Sequence, residues 1–144
     1  MVNATMAKFG YPATRVAETD HWMILLRPQA ITLGSLVLAA KGEATAYGAL
    51  SPAAYADQGV AIGLIETALR AFTSYEKVNY LMLMMVDPHV HFHVIPRYAR
   101  GRTFDGAEFV DRGWPGAPDL ASGSKLEPAT VVKMIAALGT CGLA

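Results

Sequence analysis

Hydrophobic and polar positions change their period several times along this chain, and each change marks an element. Thr14 to Glu18 and Trp22 to Leu26 read as two short strands around a turn at Thr19-Asp20, and Gly34 opens a third strand, Leu36 to Ala39. Residues 1–12 carry no such pattern and read as a loose N-terminal arm. Ala44 to Gly48 has room for one helical turn. Ser51-Pro52 then starts a long helix over residues 51–73, because Ser suits the N-cap and Pro the first helical position. Within it Tyr55, Ile62, Ile65, Leu69 and Phe72 recur at helical spacing and form an apolar stripe that faces a core. Lys77 to Met85 is apolar on both faces, the pattern of a strand covered on both sides, with Met82, Met84 and Met85 as core filler.

The next stretch alternates with a period of two: His89-Val90-His91-Phe92-His93-Val94-Ile95. On an extended strand His89, His91 and His93 share one face, with neighbouring imidazoles roughly 6.5–7 Å apart, while Val90, Phe92 and Val94 share the other. Pro88 and Pro96 bracket this strand. Each lacks a ladder donor, so regular pairing is expected between them. If the strand pairs with the one before it, Asp87-Pro88 makes a tight turn. Residues 99–126 hold five glycines, two prolines and little periodicity, which reads as a long irregular loop of the kind that forms lids or binding segments. Arg97, Arg100 and Arg102 follow the triad, placed either for phosphate or as structural and solvated arginines. Trp114 reads as a packing anchor. Glu127-Pro128 starts a last helix, with Val131, Val132, Ile135 and Leu138 on one side and Gly139 as its stop.

These elements describe an α+β protein, and its chemistry is concentrated in the three histidines. Burying three imidazoles without partners costs about 1–3 kcal/mol each, so a purely structural cluster is disfavoured. Two chemistries fit. Imidazoles ligate zinc, although ligands four residues apart on one strand stand about 13 Å apart at the backbone and no further ligand cluster accompanies them. Alternatively, one neutral ring attacks phosphorus while its neighbours hold phosphate oxygens. An ordinary imidazole pKa of about 6.5 suits that role, and His91, flanked on both sides, is the natural nucleophile.

Composition narrows the class. A length of 144 residues fits a single domain over 1–144. Hydrophobic content is 53% against 17% charged, and part of that excess is expected at a subunit interface. The formal net charge of zero and the absence of a basic run give no support for nucleic-acid or membrane-surface partners. The one cysteine, Cys141, cannot form an intrachain disulfide, which suggests a reducing compartment. The N-terminus lacks a signal-peptide pattern, and Tyr80 to Val86 is too short to span a bilayer. The expected location is cytoplasmic.

The run His89-Val90-His91-Phe92-His93-Val94-Ile95 resembles the signature of the histidine triad family, and its continuation Ile95-Pro96-Arg97 is similar to the fragile-histidine-triad branch, which includes diadenosine polyphosphate hydrolases. His21 to Pro28 resembles the family strand that lines the nucleotide pocket, and Thr32 to Leu38 the strand after its Gly turn. Residues 51–73 match the long helix and 78–86 the central strand, so the likeness covers roughly residues 15–100. The resemblance implies an antiparallel sheet of about five strands with one long helix packed on it, a C-terminal helix and a homodimer. It implies a nucleotide substrate, attack at its α-phosphate by His91 through a nucleotidyl-histidine intermediate, and no metal or other cofactor. His89 would orient His91 largely through its backbone carbonyl, and His93 would contact the phosphate.

By position, Arg27, Ser35 and Asp87 become the nucleotide-binding candidates. Arg27 stands where many members have asparagine, and Ser35 where many have histidine. Asp87 sits in a short link, Met85 to Pro88, where a longer Gly-rich loop usually assists the leaving group. A carboxylate there repels phosphate unless it is protonated or paired. The expected activity is hydrolysis or nucleotidyl transfer on a nucleoside phosphoramidate or a dinucleoside polyphosphate. The alternatives are a nucleotide-binding protein with little turnover and a zinc-dependent hydrolase.

Overall fold

Trp22–Leu26 is apolar at every position, and it is buried on both faces because the sheet it belongs to is covered on both sides. The computed structural model describes residues 2–144. In chain order the elements are helix α1 (Ala4–Lys8), strands β1 (Arg15–Glu18), β2 (Trp22–Leu26), β3 (Gln29–Ala30) and β4 (Leu36–Ala40), helix α2 (Pro52–Thr73), strands β5 (Lys77–Leu81), β6 (His91–Arg97), β7 (Arg102–Phe104), β8 (Ala107–Phe109) and β9 (Ser124–Lys125), and helix α3 (Pro128–Thr140). The main sheet is antiparallel with order β1-β2-β4-β6-β5. This is the five-stranded α+β architecture that the resemblance implies, with β6 between β4 and β5.

One face of the sheet carries Trp22, Ile24, Leu26, Leu36, Leu38 and Val94 into the main core with Ile65 and Leu69 of α2. Ser51 caps α2, its hydroxyl accepting from Ala54 N at 3.1 Å, and Pro52 follows at the first helical position. The Trp22 indole N–H donates to Ala54 O at 2.8 Å and pins this end of the helix to β2. The buried stripe of α2 is leaner than expected. Ile65 and Leu69 are fully buried beside Ala54, Ala61 and Ala68, whereas Tyr55 is exposed, because small residues let the helix lie close to the sheet.

The other face carries Met23, Leu25, Val37 and Ala39, and it is covered by the N-terminal segment. Residues 2–12 are therefore not a loose arm; residue 1 lies outside the described residues. A five-residue helix has no stability of its own, so its contacts must supply it. Met6 is fully buried, worth about 1.5–3 kcal/mol. The Asn3 side chain accepts from Met6 N at 3.0 Å and donates to Ala40 O at 3.2 Å and Gly42 O at 2.7 Å.

Several other expectations shift. Strand β5 stops at Leu81, and residues 82–90 form an irregular link rather than a tight turn at Asp87-Pro88. Met85 in this link is 85% exposed and is not core filler. Pro96 lies inside β6 rather than beyond it. Its carbonyl accepts from Thr32 Oγ1 at 2.6 Å on the side where β4 has already ended, so its missing N–H leaves no rung unfilled. The single helical turn after β4 sits at Tyr47–Ala49.

Residues 99–126 contain the hairpin β7–β8 and strand β9, which pairs with β3, and so are less irregular than their composition suggests. Helix α3 runs through Gly139 and stops before Gly142, which takes a φ of +103°. It buries Met134 and Leu138 and leaves Val132 exposed. Among the described residues, no helix is long and apolar enough to cross a membrane.

Candidate active site

β6 is held in register by β4, with Ala39 opposite His91 and Val37 opposite His93. That register puts both imidazoles on the face covered by the N-terminal segment. Their ring centroids are 5.2 Å apart in an edge-to-face arrangement, closer than strand geometry alone gives. The Phe9 ring packs against both, at 5.6 Å and 5.7 Å. His89 lies before the strand, in the link, so the three histidines do not occupy three equivalent strand positions.

Each histidine has a distinct partner. His91 Nδ1 lies 2.7 Å from the carbonyl oxygen of His89. A carbonyl can only accept, so His91 carries a proton on Nδ1, and in the neutral ring the lone pair lies on Nε2. Arg27 Nε–H donates to His93 Nδ1 at 3.3 Å. A guanidinium can only donate, so neutral His93 keeps its proton on Nε2, where it can meet an anion. Burial, then the positive Arg27 and the close approach of the His91 ring, push the His93 pKa down to about 4, with Asp87 opposing. Burial also lowers the pKa of Arg27 from its usual value.

This depression has a measurable sign. His93 resists protonation in the folded chain, so between its unfolded pKa of about 6.5 and about 4 the unfolded state binds more protons. The contribution of His93 to stability is complete above that window and is lost as pH falls through it. An NMR titration of the His93 ring should give a midpoint near 4, and Arg27→Met should raise it. A midpoint at 6.5 in the unsubstituted protein would refute this placement.

His91 and His93 line a small cavity of about 110 Å³ together with Asp87 and the apolar residues Leu83, Met84, Met85 and Val86. A neighbouring cavity of about 200 Å³ is lined by Lys8, Phe9, Arg27, Pro28 and Gln29. Phe9 is common to both, lining the second and packing on the histidines of the first. Asp87 is paired with Lys8 at 2.7 Å, so its charge is compensated beside the histidines.

Other candidates fall elsewhere. Ser35 is almost fully buried, and its hydroxyl donates to Thr32 O at 2.9 Å and accepts from Thr32 N at 3.0 Å, stapling the turn before β4. Arg97 is fully engaged by Asp111, Asn79 and Gly116. Arg102 donates to the carbonyls of Thr73 and Ser74 and lies over the Tyr98 ring. Neither arginine is presented to the histidines.

Trp114 is half-buried and lines a larger cleft of about 800 Å³ along the outer edge of β5. That cleft is roomier but its lining holds no histidine. Among the described residues, no group of three His, Cys, Asp or Glu side chains is gathered as a metal-ion site. Thr5, Lys8 and Phe9, which also border the histidines, carry no motif in the sequence; the one available signal is the spacing of three between Met6 and Phe9.

No family model matches the chain, and no curated protein does. Solved structures do. A histidine triad protein from Bradyrhizobium japonicum is 18% identical, with 100% of this chain and 98% of that chain covered and a TM-score of 0.75. One from Sinorhizobium meliloti is also 18% identical, with 97% and 95% covered and a TM-score of 0.75. A hypothetical histidine triad nucleotide-binding protein from Sulfolobus tokodaii is 15% identical, with 89% and 82% covered and a TM-score of 0.66. With both chains of each pair matched over most of their length, the architecture described above is the histidine triad fold.

Proposed function

We propose that this chain is a histidine triad protein that binds a nucleotide and breaks a bond at its α-phosphate, with His91 as the attacking group. The observation that carries this reading is the His91 Nδ1–H to His89 carbonyl bond. It fixes the ring with Nε2 as the nucleophilic nitrogen. Nε2 donates its pair to phosphorus and forms an N–P bond. The leaving group departs with the electrons of its own bond to phosphorus and is protonated from solvent. The ring becomes a phosphorylated imidazolium, whose Nδ1–H strengthens its bond to the carbonyl. Water then attacks phosphorus and gives up a proton to solvent, the N–P pair returns to Nε2, and the nucleoside monophosphate leaves.

Neutral His93, donating from Nε2, and the Arg27 guanidinium behind it supply positive potential where a phosphate would sit. Lys8 lines the neighbouring cavity, with its charge shared with Asp87. The two cavities are each smaller than the usual ligand pocket of about 300 Å³, so in this reading a nucleotide draws on both, on either side of Phe9. The name of the Sulfolobus tokodaii neighbour supports the nucleotide as ligand class. We also infer a homodimer. Among the described residues the outer edge of β5 has no partner strand, and Val60 and Leu64 are exposed on α2.

The test is chemical trapping. The protein is mixed with adenosine 5′-phosphoramidate or with diadenosine tri- or tetraphosphate and quenched in alkaline denaturant, where the acid-labile N–P bond survives. Mass spectrometry should find one nucleotidyl group on the peptide that carries His91. Label on another residue would reassign the nucleophile. Tight binding of these compounds without adduct or product would leave a binding protein in place of the enzyme.

A further inference from the structure

The hydrogen bond that orients His91 depends on where the carbonyl of His89 points, and His89 lies in an irregular link. Something must hold it there. Thr5 of α1 does so from 84 residues away in sequence. Its hydroxyl oxygen accepts from the His89 backbone N–H at 3.3 Å and stands 2.9 Å from His89 Nδ1. One side chain therefore grips both the backbone and the ring of the same residue. On the other side of the ring, His89 Nε2 lies 3.4 Å from Glu43 Oε1, which can only accept. A neutral His89 with its proton on Nε2 leaves Nδ1 to accept the Thr5 hydroxyl hydrogen.

Thr5 is itself fixed. It is 2% exposed, next to the buried Met6 anchor and the Asn3 cap that ties α1 to the end of β4.

We propose that Thr5 is a positioning residue for His91, acting through His89. It fixes the peptide whose carbonyl accepts from His91 Nδ1, and so fixes which His91 nitrogen keeps its lone pair. Thr5 touches neither His91 nor the reacting atoms in this scheme. The functional consequence rests on the reading of His91 as nucleophile; the structural consequence does not.

The test separates the two. Ring nitrogen chemical shifts are measured in the free, nitrogen-15-labelled protein. In the unsubstituted chain His91 should be a single Nδ1–H tautomer and His89 a single Nε2–H tautomer. In Thr5→Val, which keeps the shape and removes the hydroxyl, His91 should show a second, Nε2–H population. Thr5→Ser should restore the single form. With adenosine 5′-phosphoramidate as probe, Thr5→Val should lower kcat by about tenfold, the worth of one hydrogen bond, with KM within about twofold.

A single His91 tautomer in Thr5→Val overturns the proposal, as does failure of Thr5→Ser to rescue. If Thr5→Val does not fold, the unsubstituted protein still decides, because a His89 that carries its proton on Nδ1 contradicts the bonding scheme. Absence of turnover in the unsubstituted protein would count against His91 as nucleophile, while the nitrogen spectra would still decide the role of Thr5.

Discussion

His91→Asn should reduce turnover of adenosine 5′-phosphoramidate by about 10³-fold or more, the scale of losing a nucleophile, and should abolish the trapped adduct. Asparagine is the informative replacement. His91 is 2% exposed, with the Phe9 and His93 rings packed against its own. Alanine would leave a void between those two rings and confuse a catalytic loss with a packing loss. The asparagine amide can still donate to the His89 carbonyl, so the backbone there keeps its partner. Stability should change by about 1 kcal/mol, a shift of roughly 2–4 °C in Tm. A variant that keeps more than about a tenth of the original rate would remove His91 from the role of nucleophile, since no general-acid or electrostatic function of a second ring compensates a missing covalent step.

The parts of this site that were legible in sequence are those written in short-range patterns. Alternation placed His91 and His93 on one face, and Ser51-Pro52 marked the start of α2 to within a residue. Both signals follow from local geometry: a strand reverses its side chains at each step, and a helix start needs an acceptor for its free N–H groups.

The unreadable parts depend on partners far along the chain. His89 fits the alternation yet lies outside β6, because α1 and Glu43 hold its ring while its neighbour Val90 bonds to Ala44 and Ala40. Nothing in a loose-looking arm announces that Thr5 will meet residue 89. Residues 82–86 are apolar like a strand, but Leu81 opposite His93 is the last rung of β5. The exposed apolar side chains beyond that rung line the histidine cavity, a use that composition does not distinguish from core packing. Similarly, Arg97 follows the triad directly and looks available for phosphate. Its four hydrogen bonds to residues outside the motif settle otherwise.

Arg97→Met should destabilise the fold by about 3–5 kcal/mol, the scale of breaking a buried ion pair from one side. Arg97 Nε and Nη2 meet the two oxygens of Asp111 at 2.7 Å and 3.1 Å, and both side chains are nearly inaccessible, at 4% and 1% exposure. The pair joins the end of β6 to the segment that carries Trp114, and a further bond to Gly116 O at 2.9 Å extends that tie. Removing the guanidinium leaves a carboxylate in the interior that, among the described residues, keeps two backbone donors, Tyr98 N and Gly113 N, each at 3.2 Å. For a chain of this size the expected loss is on the order of 10 °C in Tm.

The double variant Arg97→Met/Asp111→Leu should recover a large part of that loss, because no charge is then left buried without its partner. If Arg97 instead served a bound phosphate, the single variant would raise KM for the nucleotide probe and leave the melting temperature unmoved. Thermal unfolding of the three proteins separates these outcomes, and additive losses in the double variant would contradict a coupled pair.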